Sequence, residues 1–60
     1  MKEAEKIYRK YDALASHLDE RSRRIWAATE AEALGYGGIS LVACATGISR
    51  RAIHRGLKEL

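Results

Sequence analysis

The sequence predicts an all-α fold made of four helices. Ala, Glu, Lys, Arg and Leu, which are strong helix formers, dominate the 60 residues, and proline is absent. Apolar side chains recur at the three- and four-residue spacing of amphipathic helices, whereas no period-two alternation typical of a half-buried strand persists beyond a few positions. A chain of this length buries only about 60% of its extended surface, so we expect one domain, residues 1–60, with a small core.

The N-terminal segment, residues 1–18, predicts an amphipathic helix over about Lys2–Ser16. Its apolar positions are Ala4, Ile7, Tyr8, Tyr11, Leu14, Ala15 and Leu18. We interpret both tyrosines as core residues, because helical spacing explains them better than a stacking platform for single-stranded nucleic acid does. This helix is also a candidate surface for self-association.

The second helix is expected within residues 19–35. Asp19 predicts its N-cap, and Gly35 predicts a left-handed terminator after Leu34. The apolar or small positions expected to face the core are Ile25, Trp26, Ala28, Thr29, Ala33 and Leu34. We expect the basic cluster Arg21, Arg23 and Arg24 to pair with Glu20 and neighbouring acids of the same helix rather than to touch DNA.

Residues 39–60 predict a helix-turn-helix of homeodomain-like type. A linker or tight corner with three glycines, residues 35–38, precedes it, and within that corner the role of Tyr36 stays open. We expect a short third helix from Ile39 or Ser40 to Thr46, a turn at residues 47–49, and a fourth helix over about Arg50–Glu59 with Ser49 as its N-cap. The residues that fit the motif are Ala43 where the helices cross, Gly47 in the turn, and apolar Ile48, Ile53 and Leu57.

Charge is distributed unevenly along the chain. The first 35 residues carry seven basic and seven acidic side chains, whereas residues 36–60 carry four basic ones and a single acid, Glu59. The formal net charge of +3 therefore belongs to the C-terminal segment. If Ile53 and Leu57 point into the core, the basic residues of the fourth helix lie on its solvent-facing side. Such a cationic helix face is typical of a surface that binds a polyanion.

We therefore predict that the chain binds double-stranded DNA, with the fourth helix in the major groove and the third across the backbone. The candidates for contact with bases or nearby phosphates are Ser49, Arg50, Arg51, His54 and Arg55. The candidates for phosphate contact alone are Lys58, Ser40 and Thr46. Arginine suits guanine because its planar fork donates two hydrogen bonds to O6 and N7. The basic side chains also fit an ordinary solvated face, and His54 also fits a surface histidine.

Other chemistries lack the residues they need. The single cysteine, Cys44, forms no internal disulfide, which suits a cytoplasmic protein, and it is interpreted as a small packing residue. His17 with Asp19 and Glu20 has no second histidine or cysteine at ligand spacing, so we expect no metal and no cofactor. No nucleophile, base and orienting group fall close together, so we expect no catalytic site in this chain. No run of about 20 apolar residues exists to span a membrane.

Several short segments around the turn form a specific combination. They are Leu18–Arg21 with Arg23 and Arg24, then Ala31–Ser40, Ala45–Arg50 and Arg55–Leu60. Over about residues 11–60, this combination resembles the amino-terminal region of ISAzo-type insertion-sequence transposases. The resemblance implies a DNA-binding head that acts at transposon ends, followed beyond Leu60 by a metal-dependent nuclease domain with a carboxylate triad. Ala52 and His54 stand where the family has Thr and Arg, which affects the target sequence rather than the binding mode.

Three hypotheses follow from the sequence. The chain is the DNA-binding head of a transposase, a small stand-alone transcriptional regulator that is either monomeric or dimeric, or a protein interaction module that assembles through its first helix. A dimer formed through Tyr8, Tyr11 and Leu14 would favour the second or the third hypothesis. The recovery of an inverted-repeat DNA motif would favour the first or the second.

Overall fold

Four α-helices make up the structure, a computed structural model that describes residues 2–60. The helices are α1 (Lys2–Leu14), α2 (Glu20–Leu34), α3 (Gly38–Thr46) and α4 (Arg50–Glu59), and a short 3₁₀ helix, Ala15–His17, follows α1. No strand occurs in residues 2–60, so the predicted all-α class is confirmed. Met1, the first residue of the predicted segment 1–18, lies outside the described residues.

Helix α2 is the central element of the packing. It contacts both α3 and α4 extensively, whereas α1 packs mainly against α3. The buried core cluster contains one or two residues from each helix: Ile7, Ala27, Ala31, Val42 and Ile53. Partly buried side chains surround this cluster, among them Trp26, whose ring stacks on Tyr11 with centroids 5.7 Å apart. The helices α2, α3 and α4 therefore pack around one core, and α1 packs against α3.

The ends of the helices follow local rules that the sequence predicted. The Asp19 carboxylate accepts a hydrogen bond of 2.8 Å from the Ser22 amide, and the Ser49 hydroxyl accepts one of 3.1 Å from the Ala52 amide, so both predicted N-caps are confirmed. Gly47 has φ 78° and ψ 0°, the left-handed conformation expected of the turn residue. These caps fix where α2 and α4 begin.

The glycine corner between α2 and α3 is tight rather than a loose linker. The Gly38 amide donates a hydrogen bond of 2.9 Å to the Gly35 carbonyl. Gly35 ends α2 with a positive φ of 74° but with ψ −138°, so it does not adopt the left-handed helical conformation predicted for it. That conformation belongs to Gly37, the N-cap of α3. A hydrogen-bonded turn of three residues, 35–37, therefore joins α2 to α3.

Alanine and glycine allow the helices to approach closely at two points. At Gly56, an added Cβ would lie 2.5 Å from the Arg24 carbonyl oxygen of α2 and 3.0 Å from the Ala28 Cβ. At Gly38, an added Cβ would collide with the Ala31 carbonyl oxygen. The sequence interpretation placed the close crossing at Ala43, which is only partly buried. Gly56 and Gly38 mark close approaches of α4 and α3 to α2, and Ala43 packs against the core.

Several predicted core positions are wrong. Tyr8 is 56% exposed and Leu14 is 38% exposed, because α1 packs on one side only and buries little beyond Ile7. In α2, Thr29 and Ala33 are exposed, whereas the small residues Ala27, Ala28 and Ala31 are the buried ones. Their short side chains line the side of α2 on which α3 and α4 lie.

Cys44 is a further correction, because its side chain is exposed rather than packed. Val42 is fully buried, and each residue of an α-helix turns by about 100°, so Cys44 points away from the side of α3 that faces the core. The sequence interpretation relied on the flanking alanines, which do not determine the rotation of the helix.

Candidate nucleic-acid interface

The basic residues of α4 share one exposed side of the helix, which we call the α4 basic face. Its members are Arg50, Arg51, His54, Arg55 and Lys58, and each is exposed. They form two rows at four-residue spacing, and the buried Ile53 and Gly56 occupy the opposite side. Ser49, at the N-cap, is exposed at the leading end of the same helix. The sequence predicted this grouping because the period of the helix separates its apolar and basic positions.

The α4 basic face has no carboxylate to balance it. The ion pairs formed within residues 2–60 are Lys10–Glu30, Arg21–Glu59 and Arg24–Glu59. None of them involves a cation of the α4 basic face. Four positive charges of α4 are therefore left to interact with solvent or with an anionic partner.

Glu59, the one acid of the C-terminal segment, is held on the side of α4 that faces α2. Arg24 donates two hydrogen bonds to its carboxylate, 2.6 Å from Nε and 3.0 Å from NH2, and the Arg24 side chain is only 12% exposed. This fork lowers the pKa of Glu59 and raises the pKa of Arg24, because each charge stabilises the other. Arg21 adds a longer contact of 3.9 Å to the same carboxylate. Glu59 is thus held mainly by Arg24, and the nearby charges of Arg21 and Arg55 also lower its pKa.

The partners expected for the arginines of α2 are wrong. Arg24 and Arg21 pair with Glu59 of α4 rather than with Glu20, and Arg23 donates hydrogen bonds to the carbonyls of Leu18 and Ala15. The fork spans 35 residues of chain, so no local spacing rule could reveal it. The expectation that these arginines serve intramolecular contacts nevertheless holds for Arg23 and Arg24.

The two candidate phosphate donors of α3 differ in availability. Ser40 is exposed. The Thr46 hydroxyl donates a hydrogen bond of 2.7 Å to the Val42 carbonyl and accepts one of 3.1 Å from the Ile48 amide. Its single hydrogen is therefore used to stabilise the turn, which removes the basis for proposing Thr46 as a phosphate donor.

An open groove separates the glycine corner from the first turns of α4. Its walls include Tyr36, Ser40, Arg50 and His54. Tyr36 is fully exposed and forms no hydrogen bond or aromatic stacking contact with residues 2–60. The sequence left the role of Tyr36 open. Its position among three glycines is the one local indication that its side chain is exposed to solvent.

Residues 2–60 supply neither a metal cluster nor a membrane span. No group of three or more His, Cys, Asp or Glu side chains in this range is placed to hold a metal ion. None of the described helices is long and apolar enough to cross a bilayer.

This geometry places one cationic helix face, that of α4, on the outside of a small helical core. Comparisons with protein-family models, with curated proteins and with solved structures find no match to the chain. The exposed side chains of α4 and its neighbours are therefore the basis for assigning a function.

Proposed function

We propose that this chain binds double-stranded DNA with sequence preference and that α4 is its recognition helix. The observation that carries the proposal is the α4 basic face, which gathers four cations and one histidine on one side of a helix without any carboxylate. The major groove of B-DNA, about 12 Å wide, admits an α-helix, and the phosphates attract a cationic one. The opposite side of α4 is anchored by Ile53 and Gly56, so the helix is presented as a rigid unit.

In the proposed complex, the N-terminal end of α4 enters the groove first and α3 lies across the backbone. Arg50 and Arg51 are then nearest to the base edges, where a bidentate arginine contributes about 1–3 kcal/mol of discrimination for guanine. His54 and Arg55 follow one turn later, and Lys58 meets a phosphate. Ser49 and Ser40 add hydroxyl contacts at the edge of the groove. The arrangement of α2, α3 and α4 around one core is what supports a homeodomain-like docking mode.

We further propose that this DNA-binding unit is the head of an insertion-sequence transposase and recognises transposon ends. The support is the resemblance of residues 18–24, 31–40, 45–50 and 55–60 to the ISAzo-type family. On this proposal, strand cleavage belongs to a separate nuclease domain, and the present chain supplies target recognition.

A stand-alone regulator is the second candidate, and the exposure of α1 favours it. Tyr8 and Leu14 present apolar surface that α3 does not cover. Burial of this surface in a two-fold dimer would let two copies of α4 read an inverted repeat. Analytical ultracentrifugation distinguishes the candidates, because a monomer that selects a DNA motif without inverted symmetry contradicts the dimeric regulator.

The DNA-binding proposal is tested by selecting bound duplexes from a random pool and measuring their affinity. The double variant Arg50→Ala/Arg51→Ala should lose the selected preference, because both side chains lie at the leading end of α4. The matched control is Lys6→Ala/Arg9→Ala, which removes the same charge from exposed positions of α1 and should leave the preference intact. A double variant that selects the same DNA with wild-type affinity would show that Arg50 and Arg51 do not read the bases.

A further inference from the structure

The α4 basic face has two different borders. On one side, a groove runs between the start of α2 and α4, and its charged walls are the acids Asp19 and Glu20 together with Arg23 and Arg24. Glu59 lies along this same side of α4, since it contacts Arg24 and Arg21 of α2. On the other side lies the groove of the glycine corner, whose walls contain no acidic residue. The acids and arginines of the first groove balance each other, whereas the second groove has Arg50 and no acid.

This difference in charge between the two grooves affects how a DNA duplex lies on α4. B-DNA carries one negative charge per about 1.7 Å of its axis, so both borders of a recognition helix lie near phosphates. Asp19 and Glu20 repel a strand that passes along the α2 side, while Arg24 donates its hydrogen bonds to Glu59 and Arg23 donates to the carbonyls of Leu18 and Ala15. The glycine corner offers Arg50 as a cation together with the uncharged donors Ser40 and Tyr36. The more favourable track for a phosphodiester strand therefore passes through the groove of the glycine corner.

We propose that this groove holds the phosphodiester backbone of one DNA strand and that the Tyr36 hydroxyl donates a hydrogen bond to a phosphate oxygen. This inference rests on the proposed DNA-binding function. Phosphate contacts of this kind fix the position of a protein on the duplex but carry no base preference of their own. Tyr36 would set the register of α4 in the major groove, while Arg50 and Arg51 read the bases.

The conformation of the corner supports this role. Positive φ values at Gly35 and Gly37, 74° and 80°, hold Tyr36 at the apex of a turn that the Gly38–Gly35 hydrogen bond closes. The side chain contacts none of the core residues, so its complete exposure has no packing explanation within residues 2–60. A fixed backbone with a free phenol group is suited to a contact that needs little ordering when DNA binds.

The test compares Tyr36→Phe and Tyr36→Ala with the matched control Tyr8→Phe, which removes an exposed hydroxyl but keeps the apolar ring that a dimer would bury. Tyr8 is also exposed, at 56%, but lies on α1 in a different groove, beside Glu5 and Arg9. Affinity for the selected duplex is measured by fluorescence anisotropy, and backbone contacts are mapped by phosphate-ethylation interference. Both Tyr36 variants should weaken binding about 10- to 150-fold, as expected for the loss of one hydrogen bond to a charged group. They should keep the base preference and the thermal midpoint, and they should lose interference at one or two phosphates.

The contrary outcomes are distinct. Wild-type affinity of both Tyr36 variants, or an equal loss in Tyr8→Phe, would overturn the inference while leaving DNA binding by α4 in place. Wild-type affinity of Tyr36→Phe alone would overturn the hydroxyl contact, since the ring would then be sufficient. If the unaltered chain enriches no duplex at all, the proposed function itself fails.

Discussion

Gly56 shows how one residue controls the position of the proposed recognition helix. Glycine within a helix is less favourable than alanine by roughly 0.5–1 kcal/mol, so its presence in the middle of α4 carries a cost. That cost is offset by contact, because the missing side chain lets α4 lie against the Arg24 carbonyl and the Ala28 side chain of α2. The exposed arginines of α4 keep their direction only as long as this contact holds.

The variant Gly56→Ala should be less stable than the wild type despite the better helix propensity of alanine. The new Cβ would lie 2.5 Å from a backbone oxygen, which cannot move aside as a flexible side chain could. We expect a loss of about 1–3 kcal/mol in the free energy of unfolding, the usual cost of overpacking. Urea denaturation followed by circular dichroism measures it.

Cys44→Ala is the control for this experiment, because Cys44 is exposed on a helix and its replacement should change stability by less than about 0.5 kcal/mol. An unchanged or higher stability of Gly56→Ala would show that α2 and α4 are not in close contact at this point.

The local rules of helices explain which elements the sequence could predict. At Asp19 and Ser49, the capping side chain accepts a hydrogen bond from the backbone amide three residues later. Both caps could therefore be predicted from the sequence. The bounds of α2 and α4 were predicted correctly for the same reason. The rotation of α1 and α3 about their axes depends on which helices pack against them. Local sequence patterns do not determine this packing. Tyr8 and Cys44 were therefore assigned to the core although both are exposed.

The candidate site likewise has one part that the sequence could predict and one part that it could not. The α4 basic face was predictable, because a 3.6-residue period separates its basic residues from Ile53. The fork between Arg24 and Glu59 and the groove beside Tyr36 join separate helices, so they depend on the tertiary fold. These contacts between elements determine which cations are free.

The fork between α2 and α4 should make stability depend on pH through Glu59. Arg24 lowers the pKa of this carboxyl in the folded state, so the charged form stabilises the fold. The contribution is complete above the ordinary glutamate pKa of about 4.3 and is lost as the pH falls from there through the lowered value. Urea unfolding of the wild type and of Glu59→Gln between pH 3 and 7 should give stability curves that converge at the acidic end.

Glu32→Gln is the control for removing a carboxylate that forms no ion pair. Glu32 is exposed and forms no ion pair within residues 2–60. A stability difference between the wild type and Glu59→Gln that stays constant from pH 7 to pH 3 would contradict an electrostatic role for the fork.

At the scale of the whole molecule, folding concentrates the net charge on one surface. Residues 1–35 are balanced in charge, and Glu59 is neutralised against α2, so the excess of positive charge faces outward from α4. Helix α4 has 10 residues and is therefore about 15 Å long, which limits the contact to a short stretch of duplex. A molecule of this kind should bind DNA with few phosphate contacts and a moderate dependence on salt.

The salt dependence of binding provides the corresponding prediction. The logarithm of the association constant falls linearly with the logarithm of salt concentration, with a slope of about 0.9 for each phosphate that a cation neutralises on B-DNA. Lys58→Ala should therefore reduce the slope by about 1 and weaken binding to all duplexes alike, since a phosphate contact carries no base preference. Arg9→Ala removes the same charge from an exposed position of α1 and should leave the slope nearly unchanged, because only cations at the interface release counterions. Anisotropy titrations from 50 to 300 mM KCl measure both variants. Equal reductions in the two slopes would show that the net charge of the molecule, rather than the α4 basic face, attracts the DNA.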